Sequence, residues 1–168
     1  MKIEICPLEK VVLDGTPVFL GMDRAAVERV LGEGELAGAR YYYFNSEMAI
    51  DYRENKVDFI EFLGGIDGTL KPVIYEISAF ESHADDLFAL LKKQNNGEIE
   101  DQEHGYSYQF PNIRVGIYRE AIPDEIEEMI AEAAGFGEPM SDDAIEFERR
   151  RADHWASIGV GAAGYYQR

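Results

Sequence analysis

Tyr41 to Leu63 reads YYYFNSEMAIDYRENKVDFIEFL, and this stretch decides how the chain folds. Tyr41 to Phe44, Met48 to Tyr52 and Val57 to Leu63 are rich in aromatic and β-branched residues, which suit a pleated, half-buried surface. The polar Arg53-Glu54-Asn55-Lys56 forms a hairpin connection between the last two. Immediately upstream lies the clearest helix start in the chain. Asp23 is a good N-cap, Met22 and Val27 occupy the two positions of a hydrophobic staple, and Val27, Val30 and Leu31 face one side until Gly32 stops the turn. Before it, Lys2 to Cys6 alternates with period two, and Val11 to Leu20 reads as two short strand pieces around Asp14-Gly15. The order is helix, then antiparallel meander.

A second pass through a similar order begins after the Gly64-Gly65-Ile66-Asp67-Gly68 loop and a strand from Val73 to Phe80. Ser82 caps a helix whose Ala84, Leu87, Phe88 and Leu91 form the apolar stripe; Lys92 and Lys93 sit in its last turn, and Asn95-Asn96-Gly97 ends it. Tyr106, Tyr108 and Phe110 alternate with polar residues, as do Ile113, Val115 and Ile117 after Pro111-Asn112. Pro123 fits the first position of a third helix with Ile126, Ile130, Ala133 and Ala134 on its buried side and Gly135 beyond its end. A fourth helix starts at Ser141, with Met140 and Ile145 as its staple and Ala152 and Trp155 continuing its apolar face. Ile158 to Tyr166 is a last extended stretch.

The expectation is an α+β fold with an antiparallel sheet and about four helices, arranged as a loose tandem helix-plus-meander repeat. A chain of 168 residues forms one domain, with 1–68 and 69–168 as its possible subunits. At this length about 70% of the unfolded surface is buried without disulfide or metal. With 46% hydrophobic and 12% aromatic residues, the composition is that of a folded protein. Cys6 is the only cysteine, so no intrachain disulfide forms, and its expected place is buried on the first strand. MKIEICPLEK lacks an apolar stretch of signal-peptide length, and nowhere do about 18 apolar residues run together. These features read as cytoplasmic.

Leu20-Gly21-Met22-Asp23, Val27, Leu31-Gly32-Glu33, the Tyr41 to Phe44 strand and Asn55-Lys56-Val57-Asp58-Phe59-Ile60 resemble the helix-plus-meander unit of β-lactamase-inhibitor proteins and small outer-membrane-assembly lipoproteins. The resemblance covers Gly21 to Phe62 and implies a binding fold. It departs in the second pass, which lacks the Gly-Met helix entry, and in the absence of a lipoprotein signal. In style and charge the chain also resembles bacterial immunity proteins, which neutralise a toxin by capping its surface.

Charge points the same way. The formal net charge is −17, and between Glu120 and Glu148 lie Glu120, Asp124, Glu125, Glu127, Glu128, Glu132, Glu138, Asp142, Asp143, Glu146 and Glu148 without one Lys or Arg. Asp124, Glu125, Asp142 and Asp143 occupy helix first turns, where the dipole favours them by about 0.3–1 kcal/mol each. Further along, like charges at helical spacing repel by a few tenths of a kcal/mol per pair, so helix stability does not explain the whole block. Glu146 with Arg150 and Glu148 with Arg151 have helical spacing for relief. A field of this sign favours a protein partner with a basic surface and disfavours nucleic acid and anionic lipid. Tyr41 and Tyr43 share one side of their strand and, if outward, offer large contact area at small entropic cost. The candidate binding residues are therefore Glu120, Asp124, Glu125, Glu127, Glu128, Asp142, Asp143, Tyr41 and Tyr43.

Catalytic signals are weaker. Gly159-Val160-Gly161-Ala162-Ala163-Gly164 spells GxGxxG, but only four residues follow, so no helix N-terminus can meet a pyrophosphate; close strand packing is the better reading. His83 with Asp86, His104 with Asp101 and Glu103, and His154 with Asp153 pair imidazole with carboxylate without a repeated ligand pattern. Asp142, Asp143 and Glu146 lack the glycine-turned loop that gathers calcium ligands. Neither a Gly-x-Ser-x-Gly elbow nor a P-loop occurs. No cofactor, metal or catalytic residue is assigned. The leading expectation is a protein-binding module of immunity type. Its rivals are an enzyme acting on a small or cationic substrate through a carboxylate or His104, and a structural adaptor dimerising through Tyr41 and Tyr43.

Overall fold

The computed structural model describes residues 1–168. Alternating Ile3 and Ile5 build β1 (Ile3–Cys6), which pairs antiparallel with β2 (Lys10–Leu13). Asp14 and Gly15, both at positive φ, turn β2 into β3 (Thr16–Phe19), as a twist-matched two-residue hairpin requires. Helix α1 (Arg24–Leu31) follows. Its N-cap Asp23 makes no side-chain cap bond and pairs instead with Lys56 at 2.8 Å. Only Val27 of this helix is fully buried; Val30 is 47% exposed. Val30 and Leu31 flank Val27 on opposite sides of the stripe, and this short helix buries too narrow a strip to cover both.

Three exposed residues then form a strand the sequence pattern does not reveal, β4 (Glu35–Ala37), followed by β5 (Arg40–Tyr43), β6 (Met48–Arg53) and β7 (Lys56–Phe62) in the expected meander. Val73 to Phe80 is not one strand. Tyr75 and Glu76, both at positive φ, fold it into two-residue strands β8 (Val73–Ile74) and β9 (Ile77–Ser78). Helix α2 (Ala84–Asn95) is capped by His83 rather than Ser82, with Nδ1 accepting the Asp85 N–H at 3.2 Å. Next come the hairpin β10 (Ser107–Phe110) and β11 (Val115–Tyr118), helices α3 (Pro123–Gly135) and α4 (Asp142–Ala152), and β12 (Ser157–Gly161). The chain leaves the sheet after Gly161 and turns at Gly164 into a short 3-10 helix, Tyr165–Gln167, so it is not extended to Tyr166.

These strands make a five-stranded sheet ordered β3-β2-β1-β8-β9 and a seven-stranded sheet ordered β10-β11-β12-β7-β6-β5-β4. All pairings are antiparallel except β1 with β8. The fold class is α+β. Each sheet joins strands from both sides of Gly68, through β1 with β8 and through β7 with β12. One cluster of 26 buried residues, including Ile5, Ile50, Phe62, Leu87 and Val160, fills the interior. No helix is long and apolar enough to cross a membrane.

Candidate functional site

Helices α3 and α4 pack through a small separate cluster, in which Ile126 meets Ala121 and Ala152 with Ile130 beside them. Apolar residues at helical spacing fix that inner side, which leaves the carboxylates outside. Their charge is less bare than the sequence suggests. Arg149 forks onto Glu127 at 2.8 and 3.0 Å, and Arg151 reaches Glu120 at 3.3 Å and Glu148 at 2.9 Å. Arg150 pairs with Asp67 at 3.2 Å rather than with Glu146. The Arg149 contact holds the Glu127 carboxyl below the usual carboxylate range. Glu125 accepts the Tyr106 hydroxyl. Asp124, Glu128, Glu132, Glu138, Asp142, Asp143 and Glu146 make no ion pair. Met129 on α3 and Phe147 on α4 are exposed, the latter at 56%, and Phe136, just past α3, is exposed at 84%.

Tyr41 and Tyr43 do share one side of β5, and it is the inner side. Tyr43 is 7% exposed and donates its hydroxyl to the Gly32 carbonyl at 3.1 Å, so it belongs to the core. Tyr41 is half-buried, edge-on to Tyr52 at 5.4 Å and beneath the Arg24 guanidinium at 4.5 Å. The binding residues read from the sequence therefore separate into an acidic helical flank and an aromatic pair facing inward.

A second surface lies on the outer face of the seven-stranded sheet. Register sets Gln109, Gly116, Gly159 and Glu61 side by side across β10, β11, β12 and β7, opposite the buried row Phe110, Val115, Val160 and Ile60. The two central glycines leave a trough. A Cβ on Gly159 would run into the Phe59 ring, and one on Gly116 would lie 2.5 Å from the Tyr166 hydroxyl. Tyr165 stacks on Phe59 at 4.5 Å, and Arg168 crosses to Asp58 at 2.6 Å. The GxGxxG stretch is thus a closely packed strand and turn. Beside this aromatic strap opens a groove of about 680 Å³, bordered by Glu61, Glu100 and Glu103. Arg40 bridges Asp51 and the bordering Glu61 at 2.9 and 3.0 Å; burial opposes its charge, yet the two carboxylates hold its pKa above the ordinary value.

The histidines stand apart. His83 caps α2 with Nε2 3.5 Å from Asp153, and His104 is exposed in the loop before β10. His154, with Nδ1 on the Arg150 carbonyl, borders a cavity of about 90 Å³ with Asp67 and Glu120, and an open depression with Asp142, Glu146 and Asp153. That cavity is well below the roughly 300–1,000 Å³ of ligand clefts, and its carboxylates are already paired to Arg150 and Arg151. No group of three or more His, Cys, Asp or Glu residues is placed to hold a metal ion. Cys6 is partly exposed rather than buried, and burial together with the Glu4 carboxylate pushes its thiol pKa up.

No protein family, curated protein or solved structure matches this chain. The α3–α4 flank offers carboxylates without an ion pair and exposed aromatic rings, of which Phe147 lies 5.5 Å from the Arg151 guanidinium; the sheet groove offers acceptors beside tyrosines.

Proposed function

We propose that this chain is a protein-docking module of immunity type, acting in the cytoplasm, that binds a basic toxin or similar partner through the α3–α4 flank. One observation carries the reading: Asp124, Glu128, Glu132, Asp142, Asp143 and Glu146 make no ion pair on the same helix pair that exposes Met129 and Phe147, with Phe136 exposed just past the end of α3. A basic partner supplies the missing counter-charges, and the rings supply apolar area that water covers poorly. The field steers encounter, lifting association toward about 10⁸–10⁹ M⁻¹s⁻¹ at low salt, while buried rings slow dissociation.

The test is affinity capture from the native host's lysate with stepped salt elution, comparing wild type with a D124N/E128Q/E132Q variant. The reading requires a specific basic protein that wild type retains, salt releases, and the variant fails to hold. A partner indifferent to ionic strength, or held equally by the variant, overturns it.

A further inference from the structure

The sheet groove shares no residue with the α3–α4 flank and carries a chemistry of its own. Its carboxylates are unequal: Glu61 already meets Arg40, whereas Glu100 and Glu103 form no ion pair. Ser107, Gln109 and Ser157 add neutral hydrogen-bonding groups to its floor. Tyr118, 41% exposed, and Tyr165 give it aromatic walls. The one cation on its border is Arg168, whose guanidinium lies 5.8 Å from the Tyr165 ring while pairing with Asp58. The chain thus already places one guanidinium between an aromatic ring and a carboxylate at this rim. Guanidinium is planar, weakly hydrated and carries five donors, so it stacks on tyrosine and forks onto carboxylate where an ammonium cannot.

We propose that this groove recognises an arginine side chain within an extended segment of a partner protein, with Glu100 and Glu103 as its anionic acceptors and Arg168 as an internal competitor at the rim. A groove of about 680 Å³ holds such a side chain with its flanking backbone. Charge complementarity selects the ligand: Glu100 and Glu103 border the groove without an ion pair, while Glu61 is held by Arg40 and the one bordering arginine, Arg168, by Asp58.

A capped glycine–arginine peptide titrated calorimetrically into the full chain tests this, alongside the same peptide with citrulline, which keeps the shape and removes the charge. The arginine peptide binds and the citrulline peptide does not. E100Q/E103Q weakens binding about tenfold or more, as loss of charge-assisted hydrogen bonds requires. R168A tightens it, and NMR shift changes gather at Tyr118 and Tyr165. Equal binding of the citrulline peptide, an unchanged affinity in E100Q/E103Q, or shift changes confined to α3 and α4 overturns the proposal. The citrulline comparison uses wild type alone and holds even if the double variant folds poorly. The D124N/E128Q/E132Q variant binds the peptide unchanged, so failure here and failure of the docking flank are told apart.

Discussion

Arg149 grips Glu127 through two parallel contacts, Nε to Oε1 at 2.8 Å and Nη2 to Oε2 at 3.0 Å, and so ties α4 to α3 across the acidic flank. The sequence separates the pair by 22 positions, and only the packing of α4 back along α3 brings them together. Hydrogen bonding to Arg149 is the main reason the Glu127 carboxyl titrates below its usual range. Arg149→Gln should return Glu127 to the ordinary carboxylate value of about 4.3. Carboxyl NMR across an acid titration measures this. An unmoved midpoint would show that the fork does not persist in solution.

The glycine trough makes a sharper demand. Any side chain at 159 enters the space of the Phe59 ring, and Tyr165 stacked beyond it leaves the ring little room to move. Gly159→Ala is therefore overpacking on a rigid aromatic stack, expected to destabilise by about 1–3 kcal/mol. Urea unfolding reads the change. A neutral effect would mean that the Phe59–Tyr165 stack shifts freely.

Much of this fold is legible in the chain because its signals are local. The Tyr41 to Leu63 meander, the Asp14-Gly15 hairpin and the four helices each follow from periodicity or a turn dipeptide. What escapes has no local signal. Glu35-Leu36-Ala37 is exposed throughout, so no buried face marks it as an edge strand. The turn at Tyr75-Glu76 uses positive φ without Gly or Asn. The site is less legible still. Gly116 and Gly159 become neighbours only when β11 pairs with β12, and the arginines after Glu148 reach Glu120 and Glu127 only when α4 folds back along α3.

Glu47 controls the loop after β7. Its carboxylate accepts the Thr69 hydroxyl and, at 3.1 Å, the Leu70 N–H. Burial pushes its pKa up, but these hydrogen bonds outweigh burial and hold it below the usual value. A depressed folded pKa means the carboxylate stabilises the fold above its unfolded pKa of about 4.3, and loses that contribution as pH falls through the folded value. Glu47→Gln should lower Tm at neutral pH, and the gap from wild type should narrow as pH drops through that window. A gap constant from pH 7 into acid would remove the electrostatic explanation.

Trp155 and Ala84 anchor the α3–α4 flank to α2. The Trp155 indole Nε1–H donates to the Ala84 carbonyl at 2.9 Å, while the Ala84 N–H donates to the Asp153 carbonyl at 2.7 Å. The indole is 1% exposed, edge-on to Tyr108 and under the Arg119 guanidinium at 4.8 Å. Trp155→Phe keeps an aromatic ring but removes the donor and leaves part of the volume empty, which together destabilise by about 1–3 kcal/mol. Since Trp155 is the only tryptophan, far-UV circular dichroism in urea must follow the loss. Hydrogen exchange separates the tether from global stability: amides of α3 and α4 should accelerate more in the variant than those of β6 and β7, which follow only the global loss, because the flank also loses its attachment to α2. Equal acceleration everywhere would show that the pair serves global stability alone.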